Sequence, residues 1–293
     1  MSSLKNQIPN FITLLNLFFG SWAIVYVFQA GAMASIDETG GMIIEMPEQL
    51  YMASLMIGIA AVIDFFDGFV ARLLKVSSEM GKQLDSLADV VSFGVAPACI
   101  VFQFLRMSMA NDVNAFSHNS IVLAPAFLIP MAGAYRLARF NLDQTQTTYF
   151  KGVPIPMIGI LTAALPLIYW QSGAVAQIML LPAFWYGYII MVSYLMVMKT
   201  PMLALKGLSN KRKLVIPLLL VGIEIALTAF FYKWLAIPFG FMGYCLVSLL
   251  YKKTIGMKLC SLQNLPISTA HQCTTAIYWT GGIGRPAGGV KTM

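Results

Sequence analysis

Charge is scarce in this chain: only 11% of its 293 residues are Asp, Glu, Lys or Arg, against about 25% in soluble proteins. That is too little polar surface to coat a particle of this size in water, so a soluble globular fold is excluded. Alternating polar and apolar segments of about ten residues, the pattern of a membrane β-barrel, are also missing. Cysteine is limited to Cys99, Cys245, Cys260 and Cys273, with no C-x-x-C spacing, which argues against a disulfide framework or a zinc site. The two histidines, His118 and His271, are isolated and offer no metal-binding pair. What the chain has instead is apolar sequence, 58% of its residues, with a mean hydropathy of +0.75. Long apolar runs in lipid must be helical, because a helix satisfies its own backbone hydrogen bonds. The expected fold is all-α, a polytopic membrane helical bundle.

Runs of about 17–25 apolar residues mark membrane-crossing helices. Eight are expected, over residues 11–32, 50–73, 84–106, 119–140, 155–172, 176–198, 214–232 and 235–251. Ala32-Met33-Ala34 resembles a signal-peptidase site. The apolar run before it exceeds the roughly 7–15 residues of a secretory signal, so it is read as a retained first helix. With the N-terminus in the cytoplasm, the basic residues gather on one side, as cytoplasmic loops prefer. Of the 19 lysines and arginines, only Arg106 and Lys233 fall opposite. The acidic first loop, with Asp37, Glu38, Glu45 and Glu48, faces outward. Membrane orientation thus accounts for the net charge of +7, and no nucleic-acid partner is expected. The expected division is a membrane domain over residues 1–251 and a flexible cytoplasmic tail over 252–293, rich in Gly, Thr, Ser and Pro. The location expected is the inner (plasma) membrane, with the site facing the cytoplasm.

The informative segment runs from Asp64 to Asp89. Asp64 and Asp67 are three residues apart near the end of the second expected helix, and Asp85 and Asp89 are four apart at the start of the third. Each pair therefore shares a helix face, and an antiparallel pairing of the two helices brings all four carboxylates together near the cytoplasmic end of the membrane. An ionised side chain at mid-bilayer costs about 2.5–3.5 kcal/mol on insertion scales, and crowded carboxylates repel one another. Arg72 adds one positive charge, too little for four negatives. Hard divalent ions suit an all-carboxylate site, so Mg²⁺ or Mn²⁺ is expected, as two ions or one, with Ca²⁺ also compatible. Gly68 and Ala71 lie on the face of Asp64 and Asp67 and leave room for a ligand or a neighbouring helix, and Gly81 permits close backbone approach. Helix packing alone would explain each small residue but not four aspartates. Metal held by carboxylates beside lipid suits phosphoryl-group chemistry.

The segment resembles the signature of the CDP-alcohol phosphatidyltransferase family, Asp-x2-Asp-Gly-x2-Ala-Arg-x8-Gly-x3-Asp-x3-Asp, at every fixed position: Asp64, Asp67, Gly68, Ala71, Arg72, Gly81, Asp85 and Asp89. The resemblance implies a six-helix catalytic core and a metal site formed by Asp64, Asp67 and Asp85. Asp89 would bridge to metal or deprotonate the acceptor alcohol. Gly68, Ala71, Arg72 and Gly81 would line the CDP site. A second layer, Ile8–Leu17 with Asn16, Ser92–Ala98, Tyr135–Asn141 and Phe150–Pro156, is similar to the serine-transferring branch, whereas the glycerol-phosphate branch usually carries arginine at the place of Asn16. It implies CDP-diacylglycerol and L-serine as substrates, membrane lipid as surroundings and a homodimer. Arg136 and Arg139, three apart, could bind the donor phosphates or the serine carboxylate through forked hydrogen bonds, with Asn141 and Lys151 completing a polar pocket. Glu224 has no evident partner in the sequence. Two alternatives stay open: the same chemistry with glycerol phosphate, inositol phosphate or another alcohol, and a cation pathway. The latter calls for acidic residues spread through the membrane depth, whereas here they cluster at one side.

Overall fold

A computed structural model of the chain describes residues 2–30, 33–36, 42–45, 48–74, 78–109, 120–142, 149–171, 173–203, 229 and 233–261. Helices dominate. The first, α1, runs over Ser2–Gln29, and a short antiparallel hairpin, β1 (Met33–Ile36) and β2 (Met42–Glu45), leads into α2 (Glu48–Leu74). Next come α3 (Glu79–Asp89), a π-helical segment over Val90–Val95 and α4 (Ala96–Met109). The remaining helices are α5 (Leu128–Leu142), α6 (Ile155–Gln171), α7 (Gly173–Met179), α8 (Pro182–Val197) and α9 (Ala236–Ser261). A second short antiparallel pair joins β3 (Tyr149–Lys151) to β4 (Pro201–Leu203). The chain forms two units, Met1–Ser248 and Leu249–Met293. Of the expected tail, residues 262–293 lie outside the described residues, as do Glu224 and, Ala229 apart, the expected span 214–232.

Among the described residues, three helical stretches are long and apolar enough to cross a membrane: Gln7–Gln29, Glu48–Leu74 and Glu79–Met109. A fourth is reached if α7 and α8 count as one bent span. The membrane-bundle class stands, but these helices do not delimit eight crossings. Two expected spans are interrupted, each with a local cause. The chain bends by 82° between α7 and α8, because Pro182 favours an extended residue before it, and Leu181 adopts φ −88°, ψ 121°. The expected span 119–140 begins as two 3₁₀ turns, Ser120–Val122 and Ala124–Phe127, and becomes α-helical only at Leu128.

The third stretch is the centre of the bundle: 67% of its best window is buried, against 28% for each of the first two. Its α4 part turns Ile100, Phe104 and Leu105 into a core shared with Ile129 of α5, Ile155 and Ile158 of α6, and Trp185 and Val192 of α8. Phe104 stacks on Trp185 with ring centroids 4.7 Å apart. The one amide in this wall, Gln103, is satisfied by donating to the Val27 carbonyl at 3.0 Å, as a buried polar group in lipid must be.

Just after Asp89 the helix widens into its π-segment, where the Ala96 N–H reaches back five residues to Val91. Widened turns of this kind often sit at functional sites. Neighbouring elements approach it closely through glycine. A Cβ at Gly20 of α1 would collide with Ser92, and one at Gly159 of α6 would lie 2.7 Å from the Phe93 Cβ. A Cβ at Gly94 would lie 3.3 Å from Pro130 and Ile155. Gly58 of α2, by contrast, faces open space. Gly20→Ala therefore overpacks the joint and is expected to cost about 1–3 kcal/mol, lowering the unfolding temperature by about 2–8 °C. Gly58→Ala should show no such loss. Thermal unfolding of the detergent-solubilised protein checks both.

Candidate metal and nucleotide site

Helices α1 and α2 run antiparallel and make the most extensive helix–helix contact among the described residues. Near the end of α2 the side chains of Asp64 and Asp67 lie beside α3. Asp64, Asp67 and Asp85 each offer a carboxylate oxygen, all within 4.8 Å of one another. Asp89, one turn beyond Asp85, lies within electrostatic reach of Asp64. Asp67 and Asp89 are buried, and Asp64 and Asp85 are half-buried. The spacing read from the sequence thus produces convergence of all four, with three in a tight group and the fourth close beside it.

Two carboxylates about 5 Å apart repel by about 3 kcal/mol at an effective dielectric of about 20. The cluster contains several such pairs. Hydrogen bonds to charged groups return about 1.5–3 kcal/mol each, so neutral donors do not offset the sum. A divalent cation does. The residues fit one: the three grouped oxygens offer hard ligands at one point, and Oδ1 of Asp89 is buried without a hydrogen-bond partner. Asp64, Asp67 and Asp85 can therefore hold a metal ion, with Asp89 alongside.

Beside the cluster opens a cavity of about 450 Å³ lined by Asp67, Gly68, Ala71, Gly81 and Asp85, with Asn10, Thr13, Ser78, Glu79 and Lys82 completing its wall. The small residues have distinct reasons to be small. A Cβ on Gly81 would stand 2.9 Å from Asn10 Oδ1 and 3.0 Å from Ser78 Oγ, whereas Gly68 has nothing within 4 Å and simply leaves the cavity open. Ser78 caps α3, its Oγ accepting from the Gly81 N–H at 2.9 Å.

The basic residues divide. Arg136 of α5 is buried, lies within electrostatic reach of Asp89, and has an Nε without a hydrogen-bond partner. Arg139, one turn on, donates to the carbonyls of Val197 at 2.8 Å and Met198 at 3.4 Å, where a cation complements the end of α8. Gly152 supports the same corner: with φ +79° it takes a left-handed turn, its N–H donates to Thr200, and a Cβ there would strike the Met196 carbonyl. Arg72 is exposed and is not among the residues lining the cavity, and its Nε donates to the carbonyl of Gly68, which is, at 2.8 Å. Asn141 ties α5 to α3 by donating to Ser86 Oγ at 2.9 Å. Lys151 lies in β3, and its side chain falls outside the described residues.

Reading by sequence missed Thr13, whose Oγ1 donates to Asp67 at 2.8 Å, and the cavity residues Asn10, Ser78, Glu79 and Lys82. A signal existed. Asn10, Thr13 and Asn16 recur every three residues in the otherwise apolar stretch Ile8–Gly20, a polar stripe that must face something other than lipid.

Comparison with known proteins agrees with this geometry. The model of the CDP-alcohol phosphatidyltransferase family matches residues 6–198, and the chain belongs to that family. It is similar to the CDP-diacylglycerol–serine O-phosphatidyltransferase of Bacillus subtilis, 35% identical over 120 residues, 41% of this chain and 63% of that protein. The enzyme of the same name from Saccharomyces cerevisiae is 36% identical over 165 residues, 53% of this chain and 52% of its own length. That from Helicobacter pylori (strain J99) is 30% identical over 195 residues, 64% of this chain and 68% of its own.

If the aspartates hold a divalent ion, Mn²⁺ at about 100 times its dissociation constant should stabilise the folded protein by about 2.7 kcal/mol. Asp64→Asn and Asp85→Asn should each abolish that rise in unfolding temperature. Without metal the same variants should be at least as stable as the parent, because a repulsion has been removed. Thermal unfolding with Mn²⁺ and with a chelator measures both.

Proposed function

We propose that the protein transfers the phosphatidyl group of CDP-diacylglycerol to the hydroxyl of L-serine, giving phosphatidylserine and CMP. The observation that carries this reading is the cluster of four aspartates near the end of α2 and in α3, two of which, Asp67 and Asp85, line a nucleotide-sized cavity. The ion would be Mg²⁺ or Mn²⁺, held by Asp64, Asp67 and Asp85, and when bound it would neutralise the donor's pyrophosphate and the phosphate that leaves. The cytidine end would occupy the cavity against Gly68, Ala71 and Gly81, which admit it by lacking bulk. The acyl chains would remain in the surrounding bilayer.

Asp89 is suited to the proton. Its unpartnered Oδ1 would accept hydrogen from the seryl hydroxyl while the seryl oxygen attacks the lipid-side phosphorus, and the bond from that phosphorus to the CMP oxygen breaks. Arg136, buried beside Asp89 with an unpartnered Nε, would orient the acceptor through the serine carboxylate. Arg139 would act at one remove, holding the end of α8 against α5. Serine is favoured over phosphorylated alcohols by the resemblance around Asn16, where the glycerol-phosphate branch usually carries arginine. Glycerol phosphate or inositol phosphate as acceptor is the second reading. The site would face the cytoplasm of an inner membrane, and a homodimer is the assembly expected from the family.

Purified protein given CDP-diacylglycerol, Mn²⁺ and one labelled acceptor at a time tests the assignment. CMP release with labelled phosphatidylserine is expected, and product from glycerol phosphate or inositol phosphate but not from serine would overturn it. Asp89→Asn should lower kcat by about 10²–10⁴-fold at saturating metal, the range of a lost general base. Turnover near that of the parent would remove Asp89 from that role.

A further inference from the structure

We propose that Thr13 and Asn16 of α1 are positioning residues that aim Asp67 and Asp64 at the divalent cation, an inference that rests on the metal-dependent reading above. The pairing is regular. Thr13 and Asn16 are three residues apart on α1, Asp64 and Asp67 three apart on α2, and the helices are antiparallel. Thr13 Oγ1 donates to Asp67 Oδ2 at 2.8 Å, and Asn16 Nδ2 to Asp64 Oδ1 at 3.4 Å. Thr13 is 4% exposed and Asn16 0%, so water does not compete for either bond.

The chemistry of the donors matters. Carboxylates this close repel and would rotate apart when free. A lysine or arginine would hold them but would also neutralise the charge that attracts a cation. A hydroxyl and an amide fix one oxygen of each carboxylate and leave the negative charge in place, which is how partners beyond the ligands tune metal sites. Asn16 is itself anchored: its backbone carbonyl accepts from Ser92 Oγ at 3.1 Å, in the π-segment just beyond Asp89. Helix α1 therefore links both acidic elements. A competing account exists for Thr13, whose hydroxyl also lies 3.1 Å from the Pro9 carbonyl, a common way to bury threonine in a membrane helix. One proton cannot fully serve both acceptors, and the shorter bond goes to the carboxylate.

Direct Mn²⁺ titration of the purified full-length protein, following free Mn²⁺ by electron paramagnetic resonance with no substrate present, separates these accounts. Thr13→Val keeps the shape and loses the donor, and Asn16→Leu does the same at the second position. Each is expected to weaken Mn²⁺ binding by about 10–100-fold, with Thr13→Ser restoring affinity close to that of the parent. Should one variant fail to fold, the other carries the test. Parent-like Mn²⁺ affinity in the folded valine or leucine variant would overturn the positioning role while leaving the metal site intact. Absence of Mn²⁺ binding by the parent protein would instead overturn the metal-dependent reading, and the positioning role with it.

Discussion

Like charges held together in a place that disfavours charge are the constraint around which this molecule is arranged. Three carboxylates meet within 4.8 Å and a fourth lies within electrostatic reach of them, on helices that elsewhere face lipid or apolar core. Such a cluster can persist only in a rigid frame with a counterion to be gained. The most extensive helix pairing among the described residues, α1 with α2, places neutral donors of α1 against two of the four, and α3 brings the other two across. The cavity opens beside them rather than elsewhere because Gly68, Ala71 and Gly81 remove bulk on the same faces.

The bundle behind the site serves that arrangement. The stretch carrying Asp85 and Asp89 continues through a π-helical turn into α4, the most buried part of the fold. The acidic pair is thus joined to a deeply buried element through a segment packed against glycines of α1 and α6. Arg139 and Gly152 perform a related task at the corner of α8, where one supplies cationic donors to the last carbonyls and the other a left-handed turn. Arg139 thereby ties α5, and with it Arg136, to the end of α8.

Membership of the CDP-alcohol phosphatidyltransferase family and the physical reading of the site converge from independent directions. Family likeness concerns which residue types recur at which spacing. The geometry concerns whether those side chains can meet, how much their repulsion costs, and whether space for a nucleotide adjoins them. A hydroxyl acceptor, a phosphorus to attack and a nucleotide to release are what a carboxylate–metal centre beside lipid is able to bring together.

Much of this was legible in residue order. Scarce charge and long apolar runs dictate membrane helices, because lipid offers the backbone no other hydrogen-bond partner. Intervals of three and four place Asp64 with Asp67 and Asp85 with Asp89 on common faces, because the helical period is a local property. What residue order left undecided depends on contacts between distant segments. Arg136 and Arg139 carry the same charge one turn apart, and only the packing of α5 against α3 and α8 sends one toward Asp89 and the other to helix-end carbonyls. Thr13 looks like any buried threonine until α2 lies alongside it. Hydropathy sums over a window and does not register a π-turn or an 82° bend, since both change direction without changing composition. Local periodicity is written in the chain itself, while the partner of each polar side chain is settled only when separate helices meet.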